Sequence, residues 1–251
     1  MDNGHPNQFA LLATRRFWPL FVAQAIGAFN DNAFRYALSI LLIYDLGPKL
    51  GLNAPLLNTV SAGLLILPFF VFSATAGQIA DKFDKAMLAR RIKLIEIAIV
   101  ALASFSLFTD QVWLQLLTVL LTGIQSAFFG PIKYSILPQH LERHELLGGN
   151  GLIEMGTFLS ILLGTLFGSF AIQSEMGRHA VSVVMIGLAL IAYMSARQIP
   201  AAPPPQPDLK INPNIVAETW RMLAIARERH DVFLAILGIS WFWFLGVVFL
   251  T

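Results

Sequence analysis

The stretch Phe29-Asn30-Asp31-Asn32-Ala33-Phe34-Arg35 places two charged side chains and two amides inside an apolar run that extends from about residue 17 to residue 44. At about 1.5 Å per residue, a helix of about 28 residues crosses a hydrocarbon core of about 30 Å with length to spare. Asp31 then lies near the centre of a membrane, where a charge costs about 2.5 to 3.5 kcal/mol. The sequence therefore predicts a first membrane-spanning helix with a polar cluster at its middle.

The polar side chains of this helix form one charged stripe. At about 100° per residue, Gln24, Asp31 and Arg35 lie within roughly 40° of one another, and Asn30 and Asn32 flank them. The spacing of four between Asp31 and Arg35 allows a salt bridge, which would make the pair a structural tie. The alternative is that the stripe forms one wall of a translocation or binding cavity. We favour the cavity, because a structural helix without charges would insert at lower cost.

The composition excludes an ordinary soluble domain. Of the 251 residues, 56% are hydrophobic and 13% are charged, and the mean hydropathy is +0.67. Charged residues approach about 25% in soluble domains. The absence of cysteine excludes disulfides, and the formal net charge of +2 indicates no nucleic-acid surface. The five histidines form no H-E-x-x-H motif and no Walker loop is present, so we expect no metal, no cofactor and no enzymatic activity.

Six apolar runs precede a proline-rich segment, and a seventh follows it. The polar first 16 residues and the length of the first run indicate an uncleaved span, as in proteins of the bacterial inner membrane. The pattern predicts an all-α membrane protein. The runs cover about residues 17–44, 56–80, 94–109, 112–137, 146–172, 180–196 and 232–251.

The proline-rich segment divides the chain. Six prolines between Pro200 and Pro213 prevent a helix and favour a semi-rigid extended linker. From about residue 214 to 229, apolar residues recur at helical spacing beside three arginines, which fits a helix on a membrane surface or a solvated linker helix. We therefore predict a six-helix bundle over residues 1–196, a cytoplasmic linker over 197–231 and a seventh helix over 232–251.

The distribution of Lys and Arg predicts the orientation. If the N-terminus is cytoplasmic, the cytoplasmic segments hold all of the 17 Lys and Arg residues except Lys49, Arg178 and the intramembrane Arg35. Cytoplasmic loops of membrane proteins are enriched in these residues. We therefore expect the N-terminus and the linker inside and Thr251 outside.

The loop after the second run carries the charged motif Gly77-Gln-Ile-Ala-Asp81-Lys82-Phe-Asp84-Lys85. It resembles the loop signature of the major facilitator superfamily, G-x-x-x-D-R/K-x-G-R/K, with Asp84 in place of the usual glycine. An ordinary positively charged loop is the alternative, but six spans, a long linker and a seventh span are also the layout of that superfamily's N-terminal half. The resemblance implies a gating role for this loop, in which Asp81 contacts a second half.

Four segments resemble the lysophospholipid transporter family, and the likeness covers essentially the whole chain. They are residues 16–32, residues 80–85, Phe129-Gly130-Pro131-Ile-Lys133-Tyr134 and Glu154-Met-Gly-Thr-Phe. Asp84 in place of glycine is typical of this family. The resemblance implies that lysophospholipid, chiefly lysophosphatidylethanolamine, is flipped across the bacterial inner membrane for reacylation, and that an acyltransferase is a partner or is fused to the transporter.

Further candidates lie in the fourth and fifth runs. Gly164-x-x-x-Gly168 predicts close helix packing. Lys133 and Glu154 lie within two turns of the same end of their helices, so they are candidates for a pair that gates the inner mouth or ties the helices together. A further set of cavity candidates shares one face of the fourth run: Thr118, Thr122 and Gln125.

Together these features predict a secondary transporter that moves lysophospholipid by alternating access, with the ammonium group near Asp31 and the phosphate near Arg35. The alternatives are a solute or drug antiporter of the same superfamily, with Asp31 as a proton carrier, and the membrane portion of a bifunctional acyltransferase. The seven predicted spans supply one six-helix half of the superfamily's layout and a single further span. We therefore expect a second bundle beyond residue 251, and no transport by these residues alone unless two copies assemble.

Overall fold

The computed structural model describes residues 8–250, apart from the side chains of residues 243 and 247–250. The predicted cytoplasmic N-terminus, residues 1–7, and the predicted end of the last helix at Thr251 lie outside the described residues. The described part contains helices and no strand, beginning with a 3-10 turn over Gln8–Ala13. The helices are α1 (Trp18–Leu41), α2 (Gly47–Leu50), α3 (Ala54–Lys82), α4 (Lys85–Ser106), α5 (Val112–His140), α6 (Leu146–Ala171), α7 (Gly177–Ala196), α8 (Ile215–Glu228) and α9 (His230–Leu250), with a π-helical turn over Leu42–Leu46.

Local sequence signals set the breaks between the first helices. Asn53 caps α3 by accepting a hydrogen bond from the Leu56 N–H at 3.1 Å. Asp84 caps α4 in the same way, accepting from the Met87 N–H at 2.7 Å. Gly51 ends α2 with a φ of 64°, a left-handed conformation that glycine adopts without strain.

The third span is longer than the apolar pattern predicts. That pattern starts the span near residue 94 and leaves Lys85 and Lys93 in a loop, whereas α4 begins at Lys85. Both lysine side chains are only 1% exposed. The assignment of these lysines to a loop was therefore wrong, because buried charges interrupt the apolar run without interrupting the helix.

The buried apolar side chains of the six long helices of the first compact unit form two clusters. α1 packs against α6 and α7, α3 packs against α5, and α4 packs against α5 and α7. We name the two ends of this bundle after Asp84, in the loop before α4, and Asp45, in the turn after α1. Phe17 and Phe129 belong to the cluster at the Asp84 end, and Phe34 belongs to the cluster at the Asp45 end. Polar side chains of α1, α4 and α5 lie between the two clusters.

Four helices among the described residues are long and apolar enough to cross a membrane: α3, α5, α6 and α7. The two remaining long helices of the bundle, α1 and α4, carry the charged residues of its interior. Asp31 and Arg35 interrupt the apolar sequence of α1, and Lys93 and Glu96 interrupt that of α4. Their lower hydropathy therefore reflects the polar layer that they contribute.

Gly164 and Gly168 bring α6 into backbone contact with α1, which confirms the predicted packing role. A Cβ atom at Gly164 would collide with the Phe29 carbonyl oxygen, and one at Gly168 would collide with the Ala33 carbonyl oxygen. Neither obstacle can move aside without displacing α1, since both belong to its backbone. These contacts flank Asp31 in sequence and fix the part of α1 that carries it.

The segment that follows α7 packs onto the first compact unit as far as Leu209. The Lys85 N–H donates to the Ala202 carbonyl at 2.9 Å, and the Asp84 carboxylate accepts from the Ala202 N–H at 3.0 Å. The Arg90 guanidinium donates to the Ile199 carbonyl at 2.7 Å. The start of the proline-rich segment is thus held against the loop between α3 and α4.

A second compact unit begins at Lys210 and contains α8 and α9. Asn214 caps α8 by accepting from the Ala217 N–H at 3.0 Å. Arg221 forms an ion pair with Glu218, one turn earlier on α8. The described part of α9 contains an apolar stretch over His230–Gly246.

An ion pair ties the start of α1 to the loop between α5 and α6. Two nitrogens of the Arg16 guanidinium donate to the two carboxylate oxygens of Glu145, at 2.7 and 2.6 Å. The Glu142 N–H also donates to this carboxylate, at 2.9 Å. The Glu142 N–H and the Arg16 guanidinium lower the pKa of Glu145 below its ordinary value of 4.5.

Replacement of Gly168 by alanine should destabilise the bundle. The added Cβ overlaps the Ala33 carbonyl, and overpacking of this kind costs about 1 to 3 kcal/mol. Thermal unfolding in detergent would measure the loss. Gly187→Ala is the matched control, because nothing lies within 4 Å of a Cβ atom there and alanine is the better helix former. Equal stability of the two variants would contradict the backbone contact.

Acidification should weaken the bundle partly through Glu145. A carboxyl whose folded-state pKa is lowered contributes stability that is complete above its unfolded pKa and is lost as the pH falls through the folded value. The loss should therefore begin just above pH 4.5 and continue below it. Glu145→Gln should remove this part of the pH dependence, a difference of less than about 1 kcal/mol for a partly exposed pair. Unfolding of both proteins from about pH 7, above the transition, down to about pH 3 measures this difference, with Glu142→Gln as control.

Candidate functional site

A chain of polar contacts crosses the bundle between its two apolar clusters and joins α4, α5 and α1. Lys93 Nζ lies 2.6 Å from Glu96 Oε2. The Gln125 amide donates to the same oxygen at 2.7 Å. Ser126 Oγ lies 3.1 Å from Gln125 Oε1 and 2.6 Å from Asp31 Oδ2. We call these five residues the polar chain. It connects the predicted Asp31 to a buried ion pair on another helix.

The Lys93 ammonium fits into the bundle because α1 has no side chain at Gly27. A Cβ atom at Gly27 would lie 2.5 Å from Lys93 Nζ. On its other side, Nζ lies 4.6 Å from the centroid of the Phe129 ring, in a cation–π arrangement. Glu96 is 3% exposed, so both members of the pair are buried. Removal of one partner from a buried pair leaves an uncompensated charge and costs about 3 to 5 kcal/mol.

The amides of the predicted stripe mainly hold α1 to its neighbours. Gln24 donates to the Ile153 carbonyl at 3.3 Å and accepts from the Thr157 hydroxyl at 2.9 Å, both on α6. Asn30 donates to the Met185 carbonyl of α7 at 3.1 Å. Asn32 donates within α1, to the Ala28 carbonyl at 2.8 Å. Gln24 and Asn30 thus tie α1 to α6 and α7.

Asp31 and Arg35 do not pair with each other. Among the described residues no ion pair joins them, whereas Asp31 accepts from Ser126. The Arg35 guanidinium lies 4.9 Å from the centroid of the Tyr36 ring. The salt bridge that the spacing allows is therefore absent in this conformation, because Asp31 accepts from Ser126 of α5 and Arg35 lies over the Tyr36 ring. Both side chains are only partly buried.

The other candidates on α5 divide between the polar chain and the helix backbone. Gln125 is a member of the polar chain and is 7% exposed. Thr118 donates to the Leu114 carbonyl of its own helix at 2.8 Å. Thr122 is 8% exposed. The structure therefore brings Gln125 together with Asp31 through Ser126.

Glu154 contacts a tyrosine where the sequence analysis expects Lys133. The Tyr134 hydroxyl donates to the Glu154 carboxylate across the gap between α5 and α6. Lys133 Nζ lies 4.7 Å from the centroid of the Tyr134 ring. No ion pair joins Lys133 and Glu154 in the part of the chain that the structure describes. Lys133 and Glu154 therefore both lie beside Tyr134, and it is Tyr134 that contacts Glu154 directly.

The charged motif occupies the end of α3 and the start of α4. Gly77, Asp81 and Lys82 lie in the last two turns of α3. The Asp81 carbonyl accepts from the Gln206 N–H at 3.0 Å. Asp84 has two structural roles, since one carboxylate oxygen caps α4 and the other accepts from the Ala202 N–H. Lys85 is buried beside the carboxylates of Asp81 and Asp84.

A separate cavity of about 530 Å³ lies at the Asp45 end of the bundle. It is lined by aromatic and charged side chains from the ends of four helices. The Arg178 guanidinium donates to the Asp45 carboxylate at 2.7 Å across it. Its polar lining includes Asp45, Glu175, Arg178 and His179.

Three members of the polar chain, Lys93, Glu96 and Ser126, are absent from the sequence candidates. Glu96 falls inside the predicted third span, and an acid within a span is itself a signal of function. Its spacing of three from Lys93 places both on one face of a helix. Ser126 offers no comparable signal, because a serine in a membrane helix usually bonds its own backbone.

Comparisons with known proteins give one family profile and a set of similar proteins. The sequence profile described as Major Facilitator Superfamily matches residues 20–251. Relatives named lysophospholipid transporter LplT include one from Pectobacterium carotovorum subsp. carotovorum strain PC1, 28% identical over 240 residues, covering 94% of this chain and 55% of the relative. One from Serratia proteamaculans strain 568 is 28% identical over 242 residues, covering 94% and 56%. One from Escherichia coli O9:H4 strain HS is 30% identical over 239 residues, covering 91% and 54%.

The chain spans about half the length of these curated relatives. Its described residues form a bundle of six long helices, a proline-rich segment and a further apolar helix. This is a multi-pass membrane protein whose relatives are transporters. Because the family profile covers nearly the whole chain, the chain belongs to the major facilitator superfamily.

Proposed function

We propose that this chain forms the N-terminal half of a secondary transporter that moves lysophosphatidylethanolamine across the bacterial inner membrane. The names of its relatives support a lysophospholipid as the substrate class. The superfamily supports transport rather than catalysis as the activity. In this proposal the N-terminus is cytoplasmic, because the loops at the Asp84 end hold most of the Lys and Arg residues.

Asp31 and Arg35 are the residues that bind the headgroup. The observation that carries this role is that two opposite charges lie one turn apart on α1, partly buried, and are not paired with each other. Their Cβ atoms are about 5 to 6 Å apart at this spacing. A zwitterionic headgroup can place its ammonium at Asp31 and its phosphate at Arg35. Charge-assisted hydrogen bonds of this kind are strong away from water.

The remaining residues of the stripe shape the site. Gln24 holds α1 against α6, and Asn30 holds it against α7. Asn32 is the neighbour of Asp31 on α1, and Gln125 lies on α5, next to the Ser126 that contacts Asp31. Transport proceeds by alternating access, in which this bundle rocks against a second one around the site. An acyltransferase that consumes the imported lipid is the expected partner.

Two groups of residues control the cytoplasmic opening. The first is the charged motif, with Gly77, Asp81, Lys82, Asp84 and Lys85. The hydrogen bonds from this motif to Ala202 and Gln206 support such a role, since movement of the loop must break them. The second group is Lys133 and Glu154, which approach each other through Tyr134.

Uptake of labelled lipid separates this proposal from its alternatives. Proteoliposomes that contain the complete transporter should take up lysophosphatidylethanolamine, whereas a solute or drug antiporter should take up none. A bifunctional acyltransferase should in addition convert the imported lipid to a diacyl phospholipid. Absence of uptake would overturn the lipid-transport proposal.

Asp31→Asn and Arg35→Ala should each reduce lipid uptake at least about tenfold, because each removes one charge that binds the headgroup; a factor of ten corresponds to about 1.4 kcal/mol. Insertion should remain intact, as measured by the yield of folded protein in the membrane. Asp110→Asn is the matched control, since this acid is exposed in the loop between α4 and α5. Wild-type uptake by both stripe variants would return Asp31 and Arg35 to a structural role.

Asp84→Gly should loosen the cytoplasmic loop. Glycine lacks the carboxylate that binds the Ala202 N–H, a hydrogen bond worth about 1 kcal/mol, whereas loss of the α4 cap to glycine costs only a few tenths of a kcal/mol. Hydrogen exchange should accelerate at the amides that this segment carries between its prolines, those of Ile199, Ala201, Ala202 and Gln206. Asp84→Asn retains an oxygen that can cap α4 but sets an NH₂ group against the Ala202 N–H, so it should also accelerate exchange at Ala202 while leaving the cap intact. Unchanged exchange in the glycine variant would remove this bond from the gating proposal.

A further inference from the structure

The cavity at the Asp45 end is separate from the polar chain. Its lining comes from the end of α1, the π-helical turn, the residues after α4, the connection between α6 and α7, and the first turn of α7. Among the described residues, none that lines it belongs to the polar chain or lies on α5. At about 1.5 Å per residue, Asp45 lies about 20 Å beyond Asp31 along α1 and the turn that follows it. A ligand bound here would therefore not touch the headgroup site at Asp31.

Two basic side chains at this cavity share one acid. Lys49 Nζ lies 2.5 Å from Asp45 Oδ1, and Arg178 Nη2 lies 2.7 Å from Asp45 Oδ2. Asp45 is the one ion-pair partner of both bases among the described residues. A guanidinium has five N–H groups and an ammonium has three, so a single carboxylate uses only part of them. The three side chains carry one positive charge in excess and retain donors for an anion.

These two bases are exceptions to the distribution of Lys and Arg along the chain. In the orientation proposed above, Lys49 and Arg178 are the basic residues on the outer side of the first compact unit. Lys and Arg concentrate in the cytoplasmic loops of membrane proteins, so bases on the other side need a reason other than orientation. The structure brings both to one carboxylate, in a π-helical turn of the kind that often marks a functional site. Anion binding supplies such a reason.

The cavity also holds an acid and an apolar wall. Glu175 is exposed and lines the cavity, and no ion pair joins it to a base in the part of the chain that the structure describes. Ile40, Leu41 and Ile172 supply apolar surface beside these charges. A volume of about 530 Å³ is within the range of small-molecule sites, about 300 to 1,000 Å³. The cavity therefore offers a positive group, a negative group and an apolar surface together.

Aromatic side chains indicate the depth of the cavity in a membrane. Tyr44 is 75% exposed and lines the cavity. The ring of Phe108 meets the edge of the His179 ring, with their centroids 4.8 Å apart. Tyrosine is enriched where the hydrocarbon core meets water, because its ring is apolar and its hydroxyl is polar. These features match the level of lipid headgroups.

We propose that this cavity binds a zwitterionic phospholipid from the leaflet at the Asp45 end of the bundle. Arg178 and Lys49 hold the phosphate, Glu175 holds the ammonium, and the apolar wall contacts the start of an acyl chain. Guanidinium groups pair with phosphate through two parallel hydrogen bonds, which makes Arg178 the main anchor. The lipid and these side chains, with Asp45, then carry no net charge. The inference goes beyond the proposed transport and does not rest on it.

Native mass spectrometry of the purified chain in detergent, titrated with phosphatidylethanolamine, tests the phosphate site. Arg178→Gln should weaken binding of the tightest lipid at least about tenfold, because it removes the charge-assisted bonds to the phosphate. Lys49 keeps the Asp45 carboxylate paired in this variant. Arg143→Gln is the matched control, since this base is exposed in the loop at the Asp84 end. Equal affinities of Arg178→Gln and the wild-type chain would overturn the proposal.

Glu175→Gln tests the ammonium site without breaking an ion pair of the described structure. Binding of phosphatidylethanolamine should weaken about fivefold, whereas binding of phosphatidylglycerol, which has no ammonium group, should not weaken. Losses of equal size for the two lipids, or no loss for either, would overturn the assignment of Glu175.

Inorganic phosphate separates a lipid site from a site for a free anion. At equal concentration it should leave phosphatidylethanolamine bound, because it gains nothing from the apolar wall. Complete displacement at equal concentration would show that the cavity takes free phosphate, and would overturn the lipid.

Uptake of labelled lysophosphatidylethanolamine separates this cavity from the transport path. The complete transporter with Arg178→Gln should retain at least about half of its wild-type uptake, since distant sites that share no partner couple weakly. Loss of uptake would place the cavity on the transport path and overturn a separate site. Lipid retention by the wild-type chain can be measured even if the complete transporter takes up no lysophospholipid, so the two proposals fail independently.

Discussion

The buried ion pair between Lys93 and Glu96 is the constraint on which the interior of this bundle depends. Two opposite charges inside a membrane protein are tolerated when they meet at close range and receive further hydrogen bonds. Here Phe129 and the bare backbone at Gly27 enclose the ammonium, and Gln125 donates a second hydrogen bond to Glu96 Oε2. The polar layer is therefore organised from α4 toward α1, and Asp31 receives its surroundings from that arrangement.

The sequence predicts the helices well because each rests on local signals. Apolar runs, prolines and capping residues such as Asn53 act within a few positions, so the breaks before α3 and α5 lie close to where the pattern puts them. The predicted start of the third span fails for one reason. Lys93 is polar in sequence but buried by its partner, and a hydropathy pattern assigns such a residue to water.

The candidate site is predictable only in part. Asp31 and Arg35 stand out because charges are rare in an apolar helix. Their contacts depend on which helices pack against α1, and the spacing of residues within α1 carries no information about that packing. Ser126 is the clearest case, since one hydroxyl on α5 decides where the Asp31 carboxylate points. The contact between Tyr134 and Glu154 likewise depends on the approach of α5 to α6.

The glycine contacts between α6 and α1 determine which parts of the bundle can move independently. The carbonyl groups of Phe29 and Ala33 lie against Gly164 and Gly168, so no layer of side chains separates α1 from α6 at these points. The two helices should therefore move together as one rigid unit. Bending is easier where a proline removes a backbone hydrogen bond, as Pro68 does in α3 and Pro131 does in α5. Ser126 lies about one and a half turns before Pro131, so bending of α5 there would carry the hydroxyl away from a stationary Asp31.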